Sequence, residues 1–310
     1  KGQATGGKAE LFMDGLPFAV RIMDSTIGAN DETVTLLSAF SSVSELREAI
    51  GTGDDHKIKV RVYDLAGNYS DSDEIQLVAD YTSPSKPTMI DMKATGNNEV
   101  AGYINRSNHS IAVAVDIVPG QATGGYAELI MDGKSFNTPI IIADNITNSA
   151  IRLSKVHSFA NAVQMRERIP EGTHAFAVRL YTRYGNYETS ESVSLVSNYS
   201  VLSVPIDVTV SGIGGRSISG YLNGTNDQLS VTAKITSGQA IGGKAELLIE
   251  GVTVASYNIE ANDSNVTITT TYTSIAALQA SIPNAGTGNG QKNYNVTVRI
   301  TDIAGNSVSS

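Results

Sequence analysis

A six-residue glycine-rich phrase occurs three times in this 310-residue chain, at a constant spacing of 118 residues. It begins at Gly2, Gly120 and Gly238, and each time one variable residue and then Ala-Glu-Leu follow it. A second phrase, ending in Gly-Asn, recurs as residues 64–68, 182–186 and 302–306. Because self-similarity at a long fixed period is the signature of a tandem array, we expect repeated units and not one large core.

The repeats predict three domains, residues 1–83, 84–200 and 201–310, joined by short segments rich in Pro and Ser. The first copy has no counterpart of residues 86–118, and the last stops before a counterpart of residues 193–196. We therefore expect N-terminal strands to be missing from the first domain and a C-terminal strand from the third. A window cut from a longer array explains this, and missing strands supplied by neighbouring molecules are the alternative.

Within one copy the apolar pattern is that of β-strands. Ile58, Val60 and Val62 alternate along one strand, and Asp14-Gly15 separates two apolar runs in the manner of a tight hairpin. One apolar pair four residues apart in each copy predicts a short helix between the sheets: Leu46/Ile50, Met165/Ile169 and Leu278/Ile282. The sequence thus predicts an all-β fold, tandem Ig-like Greek-key β-sandwiches with a short helix per repeat, arranged as a rod.

Composition excludes several classes of function. The chain has no Cys, so disulfides, Cys-based zinc sites and Cys nucleophiles are impossible. Its net charge is −9 and no Lys/Arg cluster is present, so we predict no nucleic-acid partner. No apolar run approaches the ~20 residues of a membrane span, so we expect no membrane insertion in this segment.

Residues suited to catalysis are few. We interpret His56, His109, His157 and His174 as lying at unrelated repeat positions, and none has the spacing of a metal-binding motif. The glycine-rich phrases lack the Gly-Lys-Ser/Thr ending of a phosphate-binding loop and are interpreted as flexible connections. We therefore predict that the chain is not an enzyme.

Residues 62–68, Val-Tyr-Asp-Leu-Ala-Gly-Asn, precede the segment 78–88, Val-Ala-Asp-Tyr-Thr-Ser-Pro-Ser-Lys-Pro-Thr. Together they resemble the bacterial Ig-like repeats of large cell-surface adhesins, in which a D-x-A-G-N turn precedes a D-T-T-A-P junction. The resemblance implies a non-enzymatic extracellular stalk segment at the cell surface, which extends and presents a distal binding region. Its partners would be neighbouring repeats of the same longer chain and, through other regions, a host-cell or surface receptor.

The same resemblance implies calcium at the domain junctions. Asp80, at the first junction, and Asp64 are the candidate metal ligands. The two residues frame one strand, so we expect them at its opposite ends, where they could not both bind one ion unless the chain shortens that path. The loop 71–74 and the run 24–32 offer alternative oxygen donors. Copy two has Asn198 and Thr182 at the equivalent positions, which puts a metal at the second junction in doubt. The alternative for Asp64 is an Asx turn, in which the side chain accepts hydrogen bonds from its own backbone.

Two other functions stay open. The chain could be a self-assembling surface-layer or filament protein, or a carbohydrate-binding accessory module, although Trp, a common sugar-stacking residue, is absent. Nine N-x-S/T sequons, including Asn105, Asn108 and Asn223, fit either a glycosylated surface protein or a polar β-rich surface.

Two charges recur in every copy on strands that we expect to be neighbours. The alternation directs both side chains outward, so we predict exposed cross-strand ion pairs. The predicted pairs are Glu10/Arg61, Glu128/Arg179 and Glu246/Arg299. An exposed pair contributes only about 0–1 kcal/mol, so its role would be strand register. The alternative is that each charge only keeps the sheet face soluble.

Overall fold

The computed structural model describes residues 2–18, 26–36, 40–270, 272, 274–281 and 293–310. The chain forms two compact units, Lys1–Pro84 with Tyr181–Tyr187, and Ser85–Leu180 with Glu188–Ser310. Both consist mainly of β-sheet, and the described residues contain three short helices. The fold is an all-β sandwich, as predicted, while the division into three domains stays a prediction.

The first repeat contributes one five-stranded sheet. Its elements are β1 (Lys8–Met13), β2 (Leu16–Pro17), α1 (Val43–Ile50), β3 (Gly53–Tyr63), β4 (Tyr69–Asp71) and β5 (Ile75–Ala79). The strand order is β2-β1-β3-β4, and β5 also pairs with β3. Leu11, Met13, Ile58 and Leu77 help to line an apolar pocket of about 290 Å³ on this sheet.

The second repeat is a two-sheet sandwich. Its elements are β6 (Thr88–Gly96), β7 (Tyr103–Asn105), β8 (Asn108–Asp116), β9 (Tyr126–Met131), β10 (Lys134–Ala143), β11 (Arg152–Ser158), α2 (Ala162–Arg168), β12 (Gly172–Tyr181), β13 (Tyr187–Thr189) and β14 (Val193–Asn198). One sheet has the order β11-β8-β6 and the other β10-β9-β12-β14-β7, with β13 on β12. Ile111, Leu129 and Phe176 are fully buried between them.

The third repeat has the same plan. Its elements are β15 (Ile206–Ile213), β16 (Gln228–Lys234), β17 (Lys244–Ile249), β18 (Val252–Asn258), β19 (Asn265–Thr269), α3 (Ile275–Ser281), β20 (Val296–Thr301) and β21 (Ser307–Ser309). The sheets are β15-β16-β19 and β18-β17-β20-β21, and Leu229, Leu247 and Ile268 are buried in its core.

The local predictions on turns and helices are confirmed where the structure describes them. Asp132 and Gly133 both have positive φ, 53° and 76°, as a two-residue hairpin turn requires. Helix α2 follows β11 of one sheet and precedes β12 of the other, so it connects the two sheets. Its Met165 and the following Ile169 are fully buried. Ile282 lies outside the described residues.

Candidate functional site

The junction segments between repeats begin with the same side-chain turn. Asp80 Oδ1 accepts a hydrogen bond from the backbone N–H of Thr82 at 2.8 Å. At the second junction Asn198 Oδ1 accepts one from the N–H of Ser200 at 2.9 Å. Because an amide oxygen replaces the carboxylate with the same geometry, the turn does not require the negative charge of Asp80.

In the second and third glycine-rich loops, a glutamine holds the junction segment that precedes the loop. Gln121 Oε1 accepts from the N–H of Ser85 at 2.5 Å, and Gln239 Oε1 accepts from that of Ser203 at 2.8 Å. A Cβ at Gly243 would lie 2.0 Å from the carbonyl oxygen of Thr301, so the loop packs directly on backbone. The interpretation of these loops as flexible connections is therefore wrong, because their backbone and glutamine make specific contacts.

We call residues 64–68, 182–186 and 302–306 the docking turns, because in the second and third of them the final asparagine reaches the junction before the repeat. Asn186 Nδ2 donates to the backbone carbonyl of Asp80 at 2.8 Å. Asn306 Nδ2 donates to that of Asn198 at 3.0 Å. The same atom pair thus occurs at both junctions.

The docking turns also have an internal hydrogen-bond pattern. Asp64 Oδ1 accepts from the N–H groups of Ala66 and Asn68, and Asp64 Oδ2 accepts from Asn68 Nδ2 at 2.9 Å. The hydrogen bond from the Asn68 side chain is the main reason that the pKa of Asp64 lies below its ordinary value. Asp302 accepts the three equivalent bonds. Asp64 therefore forms the Asx turn that was the alternative to metal binding.

The structure does not bring the two candidate calcium ligands together. Gly53, at one end of β3, pairs with Ala79, so Asp80 lies beside that end. Asp64 follows the other end of this 11-residue strand, about 35 Å away at ~3.3 Å per residue. Within the described residues no group of three or more His, Cys, Asp or Glu could hold a metal ion. One ion cannot bind both residues, and calcium at Asp80 stays a prediction.

At the second junction a docking turn is buried against the preceding repeat. Asn306 Oδ1 accepts from the N–H of Arg106 at 2.8 Å. A Cβ at Gly305 would lie 2.9 Å from Val100 Cγ2 and 3.0 Å from the carbonyl oxygen of Asn98. Ala304 is fully buried here, whereas its counterpart Ala66 is exposed. The contact therefore depends on close backbone approach as well as on hydrogen bonds.

The surface that receives this turn is residues 97–108, which we call the asparagine loop. Asn105 N–H donates to Asn108 Oδ1 at 2.8 Å, and Asn105 Nδ2 donates to the carbonyl of Asn98 at 2.5 Å. Both Asn105 and Asn108 are 1% exposed, so these two sequons serve packing and are inaccessible to glycosylation in the folded chain. The repeat of Asn105/Asn108 as Asn223/Asn226 was the sequence signal for this role.

A histidine–aspartate pair closes the hairpin turn in the first two repeats. Nδ1 of His174 lies 2.8 Å from Asp132 Oδ2, and Nε2 lies 2.9 Å from the carbonyl oxygen of Pro170. His56 makes the equivalent contact with Asp14 at 2.8 Å. These histidines are 118 residues apart, so their assignment to unrelated repeat positions is wrong. Both contacts of His174 are with acceptors, so its ring donates at both only when it carries two protons.

The predicted cross-strand pairs form in two repeats. Arg299 Nη2 lies 2.8 Å from Glu246 Oε2, and Arg179 Nη1 lies 3.7 Å from Glu128 Oε1. Both glutamates are buried, at 6% and 4% exposure, so the expectation of exposed side chains is wrong. Burial alone raises the pKa of Glu246, but hydrogen bonds from Lys244 and Arg299 outweigh it and hold the pKa below the ordinary value.

The prediction for the first repeat is wrong, although Glu10 and Arg61 are directly opposite each other. Among the described residues, Arg61 pairs instead with Asp71 at 2.6 Å. Asp71 lies opposite Arg61 on β4, whereas Ser309 occupies that place opposite Arg299 in the third repeat. A second carboxylate, present only in the first repeat, thus takes the arginine.

A scan against protein-family models finds no match, and a search of the curated proteins finds none. Among solved structures, the chain is similar to a Ca²⁺-stabilized adhesin that helps an Antarctic bacterium bind ice, at 17% identity and a TM-score of 0.33. That match covers all of this chain and 64% of the other, so the chain spans less than two thirds of it.

Two other solved structures show similarity of the same degree. One is from a 1.5-MDa bacterial ice-binding adhesin, at 16% identity and a TM-score of 0.31, covering 98% of this chain and 83% of the other. The second contains the FN1–FN3 domains of chicken CNTN1, at 11% identity and a TM-score of 0.33, covering 99% and 89%. Similarities this low carry no argument about function. In the part of the chain that the structure describes, no helix has the length and hydropathy of a membrane span.

Proposed function

We propose that the chain is a non-enzymatic spacer from an extracellular bacterial adhesin, in which tandem Ig-like repeats hold a distal binding region away from the cell surface. The observation that carries this proposal is the repeated junction contact, Asn186 to the carbonyl of Asp80 and Asn306 to that of Asn198. A spacer needs junctions that resist bending, and a side chain of the following repeat that binds the junction backbone supplies that resistance.

The second junction supports the proposal in most detail. Asn306 donates to Asn198 and accepts from Arg106, while Gln239 holds Ser203 on the same junction segment. Three separate contacts of the third repeat therefore restrain the path of the chain between the second and third repeats. Each hydrogen bond contributes about 0.5–1.5 kcal/mol net, so together they amount to about 1.5–4.5 kcal/mol against opening.

The test compares Asn306→Ala with Asn68→Ala in the full chain. Both variants lose the bond to the aspartate of their own turn, but only Asn306→Ala also loses the two junction contacts. We expect Asn306→Ala to increase the maximum dimension and flexibility measured by small-angle X-ray scattering, and Asn68→Ala to match the wild type. Equal scattering from the two variants would contradict a stiffening role for the junction contacts.

Whether calcium also stiffens the first junction can be tested separately from the spacer role. If an ion binds Asp80 at the first junction, a chelator should loosen the wild-type chain and have no effect on Asp80→Asn. Asp80 Oδ1 already accepts a hydrogen bond from the N–H of Thr82, and the backbone carbonyl of Asp80 accepts one from Asn186 Nδ2, so the junction has a metal-independent means of being fixed. A stiff chain with no chelator response would leave the spacer proposal intact and remove calcium from it.

A further inference from the structure

Asn306 binds two groups of the second repeat that lie where a strand ladder ends. Its Oδ1 accepts from the N–H of Arg106, and its Nδ2 donates to the carbonyl of Asn198. Asn105 and Asn198 are the last register pair of the parallel strands β7 and β14, so Arg106 lies one residue beyond the ladder. Strand ends fray unless other contacts hold them. The spacing of the two partners of Asn306 therefore depends on contacts outside the sheet.

Helix α2 supplies the contact that holds the first partner. Arg166 Nη1 donates to the carbonyl oxygen of Arg106 at 3.0 Å. The same residue, Arg106, donates its N–H to Asn306, so it is held by the second repeat at one end and by the third repeat at the other. Met165, beside Arg166 in the helix, is fully buried in the core of the second repeat. Arg166 thus connects the asparagine loop to that core.

The residues at the end of α2 hold the second partner. Glu171 Oε1 accepts from the N–H of Tyr199 at 2.8 Å, and this N–H belongs to the peptide unit whose carbonyl, that of Asn198, binds Asn306. Tyr199 Oη donates to the carbonyl of Ile169 at 2.8 Å, where helix carbonyls lack a partner within the helix. Burial raises the pKa of Tyr199, so its hydroxyl keeps the proton that it donates.

The two sets of contacts meet at an arginine–tyrosine pair. The guanidinium carbon of Arg166 lies 5.9 Å from the centre of the Tyr199 ring, within the range of a cation–π contact. The first junction has the same pair, because Arg47 of α1 lies 5.1 Å from the ring centre of Tyr81, the residue after Asp80. An arginine of the helix thus lies over the tyrosine that follows the docked residue at both junctions.

We propose that Arg166, Ile169, Glu171 and Tyr199 form a junction clamp, which holds the N–H of Arg106 and the carbonyl of Asn198 at the spacing that Asn306 requires. The clamp rests on the proposed function, since it assigns the stiffness of the second junction to one helix of the second repeat. A receptor fixed in advance loses less conformational freedom when the docking turn binds. Arg166 is a positioning residue, because it acts on Asn306 through Arg106.

Hydrogen exchange in the full chain tests the clamp with Arg166→Gln, a residue that α3 carries at the same position as Gln279. The amide of Arg106 should exchange about three to ten times faster, as expected for one lost hydrogen bond. The buried amide of Val178, which reports the stability of the second repeat, should change less. Unchanged exchange at Arg106, or equal acceleration at Val178, would overturn the proposal.

Arg168→Gln is the matched control on the same helix. Arg168 donates to the carbonyl of Thr138 and lies over the rings of Phe136 and Phe159, so its contacts are with the sandwich and not with the junction. Exchange at the Arg106 amide should therefore stay within about twofold of the wild type. Acceleration equal to that of Arg166→Gln would show a general effect of lost helix charge and contradict the clamp.

Small-angle X-ray scattering separates positioning from a general structural role. Arg166→Gln should increase the maximum dimension of the wild-type chain and add nothing in the Asn306→Ala chain, where the positioned contact is already lost. Tyr199→Phe, which removes only the hydroxyl bond to Ile169, is a milder second variant and should act in the same direction. If Asn306→Ala has its expected effect but Arg166→Gln has none, or has the same effect in both chains, the clamp is wrong and the spacer stands. If Asn306→Ala itself has no effect, the proposed function fails and the clamp fails with it.

Discussion

Substitution of one glycine in each docking turn separates the cost of docking from the cost of the turn itself. Gly67, Gly185 and Gly305 have nearly identical φ angles of 87°, 89° and 91°. Alanine at any of them adopts a disfavoured backbone conformation, which costs about 1–2 kcal/mol. Their surroundings differ, because a Cβ at Gly67 or Gly185 meets nothing within 4 Å whereas one at Gly305 meets three atoms at 2.9–3.1 Å.

We expect Gly305→Ala to cost more than the other two variants. One of the close atoms is the backbone oxygen of Asn98, which cannot rotate away, so an overpacking cost of about 1–3 kcal/mol adds to the backbone cost. The expected loss of stability is therefore about 2–5 kcal/mol for Gly305→Ala, against about 1–2 kcal/mol for Gly67→Ala and Gly185→Ala. Urea unfolding of the 310-residue chain with each substitution measures these differences.

Hydrogen exchange at the backbone amide of Arg106 locates the effect. This amide donates to Asn306 Oδ1 only while the turn is docked. Because 1.4 kcal/mol corresponds to a factor of ten, its exchange should accelerate about tenfold or more in Gly305→Ala and stay unchanged in Gly67→Ala. Adding Val100→Ala to Gly305→Ala should restore part of the loss, as expected of residues in contact. Equal destabilisation by all three alanines would refute the docking argument.

Three further predictions concern charge. The hydrogen bond from His174 lowers the pKa of Asp132 in the folded chain below its ordinary 3.8. The ionised Asp132 therefore stabilises the fold above pH 3.8, and this stabilisation is lost as the pH falls through the lower pKa of the folded chain. Unfolding of wild type and Asp132→Asn between about pH 5 and about pH 2 should show a steeper decline for the wild type. Glu246→Gln should destabilise by about 1.5–3 kcal/mol and Glu10→Gln by about 0–1 kcal/mol, measured by urea unfolding, because only Glu246 is buried with its arginine. Asp80→Asn should leave the first-junction turn intact, which exchange at the Thr82 amide reports, since Asn198 makes the same turn.

The all-β fold and its hairpins were predictable because their signals are local. Alternation along Ile58, Val60 and Val62 identifies a strand within five residues, and Asp132-Gly133 identifies a turn within two. The Glu246/Arg299 pair was also predictable, since the repeat places both charges on neighbouring strands. The burial of Glu246 was not predictable, because the alternation of apolar residues along a strand shows which face a side chain occupies but not what covers that face.

The junction contacts could not be predicted from pattern alone. Asn186 and its acceptor Asp80 are 106 residues apart, and Asn306 and its acceptor Asn198 are 108 apart. No local periodicity reports a partner at that distance. The available signal was the 118-residue repeat itself. His56 and His174 have the same spacing, but they were interpreted as lying at unrelated positions.

Comparison of the three docking turns explains which of their residues can vary. The first position is Asp64 or Asp302 in two copies and Thr182 in the other, where the hydroxyl accepts from the N–H of Tyr184 at 3.3 Å. A hydroxyl can therefore replace the carboxylate as the acceptor in this turn. The last position is Asn in all three copies, although an acceptor alone could close a turn there. Asn306 must donate to the carbonyl of Asn198 and accept from the N–H of Arg106, and an aspartate there would set its negative oxygen against that carbonyl. In the two copies that contact a junction, the asparagine is thus the residue that the neighbouring repeat requires, and the residue that varies is the one that only its own turn requires.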